Sequence, residues 1–250
     1  MKIFETHAHL DNSQFDSDRE AVIKSCREKG IEIIINIGCD RQTTLDSIAL
    51  AKKYEFIYAA AGFHPHDATE LDLEFLRIQA KHPKVVAIGE IGLDYYRNLS
   101  PQDIQQDAFR KQLQLAVELN KPVVVHNRDA NSDTLKILRE IKPAKVVYHC
   151  FSGDVLYAAE VLSEGWFVSF TGNITYKKSQ LPDVVRMIPK DRFFIETDSP
   201  YLTPHPHRGK RNDPGYLRYI IEAIADIKGM SPKQVAQQSY ENAENFFLTK

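Results

Sequence analysis

The stretch "KIFETHAH", residues 2–9, joins an apolar opening to two histidines that stand one residue apart. Alternate residues of a β-strand point to the same face, so the pattern predicts a first strand on which His7 and His9 project together. Paired imidazoles suit an apolar core poorly, whereas imidazole is a common metal ligand. The stretch therefore predicts a strand that ends in part of a metal site.

Seven further apolar runs rich in Val, Ile and Phe follow this strand, and segments with helical periodicity separate them. The runs are "IEIIINIG" (31–38), "FIYAAAGFH" (56–64), "VVAIGEIG" (85–92), "PVVVH" (122–126), "KVVYHC" (145–150), "WFVSFTG" (166–172) and "RFFIETD" (192–198). Because the runs are almost continuously apolar, we expect strands that are buried on both faces beneath helices.

Eight strand and helix repeats in one chain of 250 residues predict an α/β protein with parallel strands. They favour a single domain over residues 1–250 that folds as a (β/α)8 TIM-type barrel. An open doubly wound sheet would need fewer strands and usually a Gly-rich phosphate loop. The segment "SPKQ" from Ser231 matches a capping box and predicts an extra C-terminal helix, and "SDRE" from Ser17 predicts an earlier helix start in the same way.

The composition is that of an ordinary globular protein, with 43% hydrophobic and 26% charged residues and a net charge of −2. It excludes the strongly basic character of a protein that coats nucleic acid, although a local basic patch remains possible. Three cysteines cannot form a fully paired disulfide framework, and no apolar run approaches the roughly 18 residues of a membrane span. We therefore expect a cytoplasmic protein without a leader, a membrane partner or an obligate protein partner.

Polar residues that suit metal binding stand at the carboxyl ends of six predicted strands, which is the face where barrel enzymes build their sites. They are His7, His9, His64, Glu90, His126, His149 and Asp198. Each has a structural alternative when taken alone. A strand-end histidine can be a hydrogen-bonded structural residue, Glu90 can pair with an arginine, and Asp198 can cap a turn. Gathered on one rim they would be costly to bury without a cation among them, so their joint pattern predicts a metal site.

Six of these side chains are more than the three protein ligands that a tetrahedral catalytic zinc normally has. They therefore predict two divalent ions roughly 3.5–4 Å apart. In that arrangement one ion is held by His7, His9 and Asp198, and the other by His126 and His149, while Glu90 bridges both. The donors suit Zn, Mn, Fe, Co or Ni and do not by themselves favour Mg, so the identity of the metal stays open. Two ions support hydrolysis, and Asp198 is the candidate general base.

Several motifs together give the chain a specific resemblance to a known family. They are "ETHAHLD", "GFHPH", "AIGEIGLDYY", "PVVVHNRDA", "HCFSG", "IETDSPYLTP" and "RGKRN". From residue 2 to about residue 248 the chain resembles the TatD family of metal-dependent deoxyribonucleases, within the amidohydrolase superfamily. The resemblance implies a TIM-type barrel, a divalent-metal centre and hydrolysis of phosphodiester bonds in DNA, often from the 3′ end.

The resemblance places six residues at the family's metal-ligand positions, namely His7, His9, Glu90, His126, His149 and Asp198. It implies a substrate-phosphate role for His64 and Arg128, with support of the metal ligands as the alternative. One departure is Glu5, where the family usually has Asp. Because Glu5 is not a predicted ligand, this change concerns the orientation of the histidine pair that follows it.

The loop "HPHRGKRN", residues 205–212, carries Arg208, Lys210 and Arg211 beyond the eighth strand, where basic side chains can hold a phosphate backbone. A solvated turn is the alternative for this loop. Aromatic residues past strand ends can stack on unpaired bases or pack against the rim, and they are Tyr95, Tyr96, Phe151 and Tyr201. The acidic overall charge argues against tight binding of duplex, so we expect single-stranded DNA or strand ends as the substrate.

The leading prediction is a divalent-metal-dependent deoxyribonuclease of the 3′ exonuclease type. A metal-dependent esterase or deacylase acting on another substrate, such as D-aminoacyl-tRNA, is the alternative enzyme. The third hypothesis is a barrel that only binds a ligand or partner through a vestigial site. The six filled ligand positions argue against it.

Overall fold

The computed structural model describes residues 1–249 and contains eight strands, which coincide with the eight predicted runs. Their bounds are β1 Ile3–Ala8, β2 Ile31–Ile37, β3 Ile57–Ala61, β4 Val85–Asp94, β5 Val123–Arg128, β6 Val146–Tyr148, β7 Phe167–Phe170 and β8 Phe193–Ile195. The strands form one sheet in the order β1 to β8, and the register shows parallel pairing from β3 to β6 and from β7 to β8.

An α-helix follows every strand, and a further helix ends the described chain. The helices are α1 Arg19–Glu28, α2 Arg41–Lys53, α3 Leu73–Ala80, α4 Gln102–Glu118, α5 Asn131–Ile141, α6 Val155–Ser163, α7 Leu181–Met187, α8 Leu217–Lys228 and α9 Pro232–Phe247. Parallel strands in chain order, each followed by a helix, define the (β/α)8 fold. The predicted fold class and the extra C-terminal helix are confirmed.

The two predicted helix starts have different outcomes. At α9 the side chain of Ser231 accepts the N–H of Gln234, and the side chain of Gln234 in turn accepts the N–H of Ser231, which is the predicted capping box. At α1 the N-cap is Asp18, one residue after Ser17, and its side chain makes no capping hydrogen bond. The Ser17 capping box is therefore wrong, because residues 16–18 form a turn before the helix begins.

The residues cluster into two compact units, residues 36–149 and the remainder of the chain, so the prediction of one domain stays a prediction. In the unit that contains β1, β7 and β8, helix α9 packs along β1 and β8. The ring of Phe4 lies 5.9 Å from Tyr240 and 6.2 Å from Phe247, measured between centroids. The extra helix thus covers the first and last strands of the fold.

In the unit of residues 36–149, buried amide side chains and one glycine fix the ends of β3, β4 and β5. Gln112 of α4 accepts the N–H of Phe63 and donates to its carbonyl oxygen, which holds the chain just before His64. Gly92 of β4 has φ +146°, and a Cβ there would lie 1.9 Å from the carbonyl oxygen of His126. Only glycine allows β4 to approach β5 this closely.

Within residues 1–249, none of the helices combines the length and the apolar character that crossing a bilayer requires.

Candidate metal centre

One cluster of candidate metal ligands lies at the end of β1 and on the segment after β8. The Nε2 atoms of His7 and His9 lie 3.2 Å apart, and Asp198 Oδ1 lies 3.7 Å from the first and 3.3 Å from the second. Ligands at about 2.0 Å from a tetrahedral ion stand roughly 3.3 Å from one another. The three donor atoms are therefore spaced closely enough to surround one divalent ion, and their role as ligands stays a prediction.

Main-chain hydrogen bonds hold Asp198 beside the two histidines. The N–H of Asp198 donates to the carbonyl oxygen of His7 at 3.0 Å, and the N–H of His9 donates to that of Ser199 at 2.8 Å. Asp198 itself has φ +55°, a left-handed conformation that Asp tolerates better than most residues. The segment after β8 thus continues the pairing with β1 and turns the carboxylate toward the imidazoles.

Glu5 supports this cluster from the fully buried side of β1. Its carboxylate accepts hydrogen bonds from the N–H of His7 and from both the N–H and the hydroxyl of Thr197. Burial raises the pKa of Glu5 to about 8, although these hydrogen bonds oppose the shift. Glu5 therefore ties the strand that carries His7 to the segment that precedes Asp198, which is the orienting position expected for it.

A second cluster lies in the unit of residues 36–149 and surrounds the buried side chain of Glu90. Its Oε1 atom lies 2.8 Å from His126 Nδ1, 3.0 Å from His149 Nε2 and 3.5 Å from His64 Nε2. Burial alone would raise the pKa of Glu90, but the surrounding imidazoles hold it well below its usual range. The carboxylate is therefore anionic and available to a cation.

The hydrogen bonding of His64 separates its role from that of His126 and His149. Its Nδ1 atom accepts the N–H of His66 at 3.1 Å, so in the neutral ring the proton sits on Nε2. Burial lowers the pKa of His64 to about 4, which keeps the ring neutral near pH 7. His64 thus presents a hydrogen-bond donor at Nε2, on the side that faces Glu90 Oε1.

Sequence reasoning missed two residues in this cluster, Asp94 and His66. Asp94 Oδ2 lies 3.1 Å from His126 Nε2 and 2.9 Å from His66 Nε2. Strand β4 runs two residues past its predicted end, to Asp94, and strand alternation puts residues 90, 92 and 94 on one face. The alternation from Glu90 to Asp94 in "EIGLD" was the signal that could have found this carboxylate.

Cys39, which follows β2, was also missed. Its Sγ atom lies 3.8 Å from Glu90 Oε2, a distance at which a thiol makes a weak hydrogen bond to a carboxylate. The thiol therefore adds a contact to the Oε2 atom of Glu90.

The predicted substrate-binding arginines lie in different surroundings. Arg128 is exposed and stacks 3.9 Å above the ring of Tyr96, which is 63% exposed. Arg208 is exposed and stacks 3.8 Å from the ring of Tyr176. Arg211 instead forms a bidentate ion pair with Asp18, with nitrogen to oxygen distances of 2.8 and 2.7 Å. Arg128 and Arg208 therefore offer guanidinium groups to a ligand more directly than Arg211 does.

The structure brings His7, His9 and Asp198 together, and it brings Glu90, His126 and His149 together with His64. Each set combines imidazole nitrogen with carboxylate oxygen, the donors that first-row divalent metals prefer. That these residues ligate metal, and that their two sets serve one centre, stay predictions. A (β/α)8 fold with such donors after its strands defines a class, the metal-dependent hydrolases of barrel type.

Comparisons with known proteins narrow this class. The profile of the family described as TatD related DNase matches residues 4–248. An uncharacterized metal-dependent hydrolase of Bacillus subtilis, YabD, is 45% identical over 98% of both chains. A protein of Erwinia tasmaniensis named 3′-5′ ssDNA/RNA exonuclease TatD is 35% identical over 98% of this chain and 99% of its own. The crystal structure of YjjV, a TatD homologue from Escherichia coli, is 28% identical with a TM-score of 0.93, over 99% of this chain and 98% of that one.

The chain belongs to the TatD family and is a metal-dependent hydrolase.

Proposed function

We propose that this protein is a divalent-metal-dependent nuclease that removes nucleotides from the 3′ end of single-stranded DNA. The observation that carries the proposal is the convergence of His7, His9 and Asp198, whose donor atoms lie within 3.7 Å of one another. The name 3′-5′ ssDNA/RNA exonuclease, given to a relative that is 35% identical over nearly the whole chain, supports the substrate class.

In this proposal two divalent ions would be held, one by His7, His9 and Asp198 and the other by His126 and His149, and Glu90 would be a ligand of both. When bound, such ions supply Lewis-acid activation of water and stabilise charge on phosphoryl oxygens. The support for one shared centre is topological, because the ligands follow strands of one (β/α)8 sheet at the ends where barrel enzymes place their sites. Zn, Mn, Mg, Ni and Co are the candidate metals.

Asp198 acts as the general base that accepts the proton of the attacking water. Its side chain is 13% exposed, so water reaches it, while the fully buried His7 beside it limits solvent on the other side. The main-chain hydrogen bond to His7 holds the segment that carries this carboxylate beside the histidine pair.

The substrate is held by donors that surround the cluster at Glu90. The Nε2–H of His64 donates to a phosphate oxygen, and Arg128 supplies positive charge near the backbone. Tyr96 is exposed beside Arg128, where a terminal base can stack on its ring. Arg208 and Arg211 on the loop after β8 are further phosphate contacts in this proposal.

We place the protein in the cytoplasm, without a membrane or an obligate protein partner. No disulfide joins Cys26, Cys39 or Cys150, all of which lie within the described chain, and reduced thiols fit a reducing compartment.

The test is incubation of the purified protein with single-stranded DNA labelled at the 5′ end, with and without a chelator. We expect metal-dependent shortening of the strand one nucleotide at a time. The Asp198→Asn variant serves as the inactive enzyme, and Asp226→Asn, which changes an exposed carboxylate of α8, is its matched control.

Parallel incubations use single-stranded RNA and D-aminoacyl-tRNA. Intact DNA together with metal-dependent release of the D-amino acid would replace the nuclease proposal with the deacylase alternative. Intact substrates in every arm, with folded protein and added Zn, Mn, Mg, Ni or Co, would contradict both.

A further inference from the structure

We propose that Asp94 is a positioning residue for His126: it accepts the Nε2–H of this imidazole and so leaves Nδ1 as the only nitrogen that can bind a metal ion. The inference rests on the proposed function, because His126 as a ligand is part of that proposal.

The geometry at His126 shows one carboxylate facing each ring nitrogen. Its Nδ1 atom lies 2.8 Å from Glu90 Oε1, and its Nε2 atom lies 3.1 Å from Asp94 Oδ2. A neutral imidazole has one N–H and one lone pair, and an ionised carboxylate only accepts hydrogen bonds. Since both carboxylates only accept, each short contact is an N–H donated by the ring. A divalent ion would replace the proton at Nδ1, beside the predicted bridging ligand Glu90, while the Nε2–H would stay directed at Asp94.

Asp94 is itself held in one orientation, as a positioning residue requires. Its side chain is 1% exposed, and its other carboxylate oxygen accepts the N–H of Arg97 at 2.8 Å. The main chain of Asp94 is clamped by Gln105 of α4, whose side chain accepts its N–H at 2.8 Å and donates to its carbonyl oxygen at 3.2 Å. The carboxylate therefore has little freedom to follow a rotation of the His126 ring.

A second imidazole shares the same oxygen and completes the network. His66 Nε2 lies 2.9 Å from Asp94 Oδ2, and the hydroxyl of Ser100 donates to the carbonyl oxygen of His66 at 2.8 Å. Gln105 in turn donates to the carbonyl oxygen of Ser100, also at 2.8 Å. The segments that carry His66 and Asp94 are thus fastened to the same buried amide side chain.

With a metal ion at Nδ1, His126 and Asp94 would form a carboxylate–histidine–metal series, in which the outer carboxylate fixes the tautomer and increases the basicity of the ligand. Removal of such an outer partner typically weakens metal binding by about 10–100-fold. Since Asp94 does not face Glu90 or His149 in the contacts described, its effect on the metal passes through His126.

The test measures Zn²⁺ affinity by competition with a chromophoric chelator, together with ¹⁵N NMR of the histidine-labelled protein. The variants are Asp94→Ala, Asp94→Asn and His126→Ala. The matched control is Asp133→Ala, which removes a nearby carboxylate that accepts from the Tyr95 hydroxyl. The loss of signals in His126→Ala assigns the resonances of that ring.

We expect the wild-type spectrum to show His126 protonated at Nε2, with Zn²⁺ shifting the Nδ1 resonance. Asp94→Ala should weaken one class of Zn²⁺ sites by about 10–100-fold and abolish the protected Nε2–H signal. Asp133→Ala should leave the Zn²⁺ affinity and the Nε2–H signal of His126 unchanged. If the buried change to Ala unfolds the protein, Asp94→Asn keeps the shape of the side chain and should still weaken binding, because the negative charge is lost.

The outcomes separate this inference from the function on which it rests. If His126→Ala weakens Zn²⁺ binding but Asp94→Ala and Asp94→Asn behave like the control, His126 is a ligand and the positioning role is overturned. If His126→Ala binds Zn²⁺ as the wild type does, the ligand assignment fails and the inference fails with it.

Discussion

The N–H of Asp198 donates a 3.0 Å hydrogen bond to the carbonyl oxygen of His7. The bond couples the proposed base to the metal-binding pair through the main chain, so it does not depend on the Asp198 side chain. The carboxyl group of Asp198, the proposed base, can therefore be altered without releasing the segment that carries it.

Replacement of Asp198 by Asn should remove activity and preserve the fold. Asn tolerates the φ of +55° at this position, as Asp does, but it neither accepts a proton nor binds a cation strongly. General-base catalysis contributes about 10²–10⁴-fold, so kcat should fall by at least about 100-fold. Steady-state kinetics and thermal unfolding measure the two effects. Activity within a few-fold of that of Asp226→Asn would exclude the assigned role.

The substrate proposal predicts different effects for two arginines. Arg128→Ala should raise KM for single-stranded DNA. It should also lower the slope of log KM against the logarithm of the salt concentration by about one, since one phosphate contact is lost. Arg211→Ala should change this slope less, because its guanidinium group is paired with Asp18. Kinetics at several salt concentrations compare the two variants. Equal slopes for Arg128→Ala and the wild type would remove Arg128 from the substrate site.

Stacking on Tyr96 is tested separately. The ring is exposed beside Arg128, so Tyr96→Ala should raise KM while Tyr96→Phe, which keeps the aromatic face, should retain the wild-type value. Thermal unfolding serves as the control, because an exposed side chain contributes little to stability. A KM that both variants leave unchanged would show that no base stacks there.

Glu5 should make the stability of the metal-free protein depend on pH. Its pKa is about 8 in the folded state and about 4.5 when unfolded, so between these values the folded state holds the proton that the unfolded state releases. The contribution of the protonated Glu5 to the free energy of unfolding is complete below pH 4.5. It is lost as the pH rises to 8, at up to about 1.4 kcal/mol per pH unit. Glu5→Gln mimics the protonated acid and should not show this loss.

Urea unfolding of the chelator-treated wild type and Glu5→Gln at pH 5, 6.5 and 8 measures this difference. The free energy of unfolding of the wild type should fall relative to that of the variant across this range. Parallel pH profiles would mean that Glu5 is ionised in the folded protein.

The regular part of the fold could be predicted because its physical signals are local. Continuous apolar runs mark buried strands, and the alternation of His7 and His9 showed which side chains share a face. The start of α1 was misplaced by one residue, because Ser17 and Asp18 are both good N-cap residues and tertiary contacts decide between them.

The site was predicted less completely, because hydrogen-bond partners depend on three-dimensional placement. The six proposed ligands stand out as polar residues after apolar strands. The tautomer of His64 depends on a main-chain N–H at His66, and the partner of Arg211 lies at Asp18, almost 200 residues away in sequence. Neither relationship has a signature in the local sequence.

The central claim is that two sets of side chains hold two divalent ions, and metal stoichiometry tests it most directly. Zn²⁺ titration followed by elemental analysis should give two ions per wild-type chain. His9→Ala and His149→Ala should each retain about one, because each variant removes a ligand from a different set. Two bound ions in either variant, or a single ion in the folded wild type, would contradict the account.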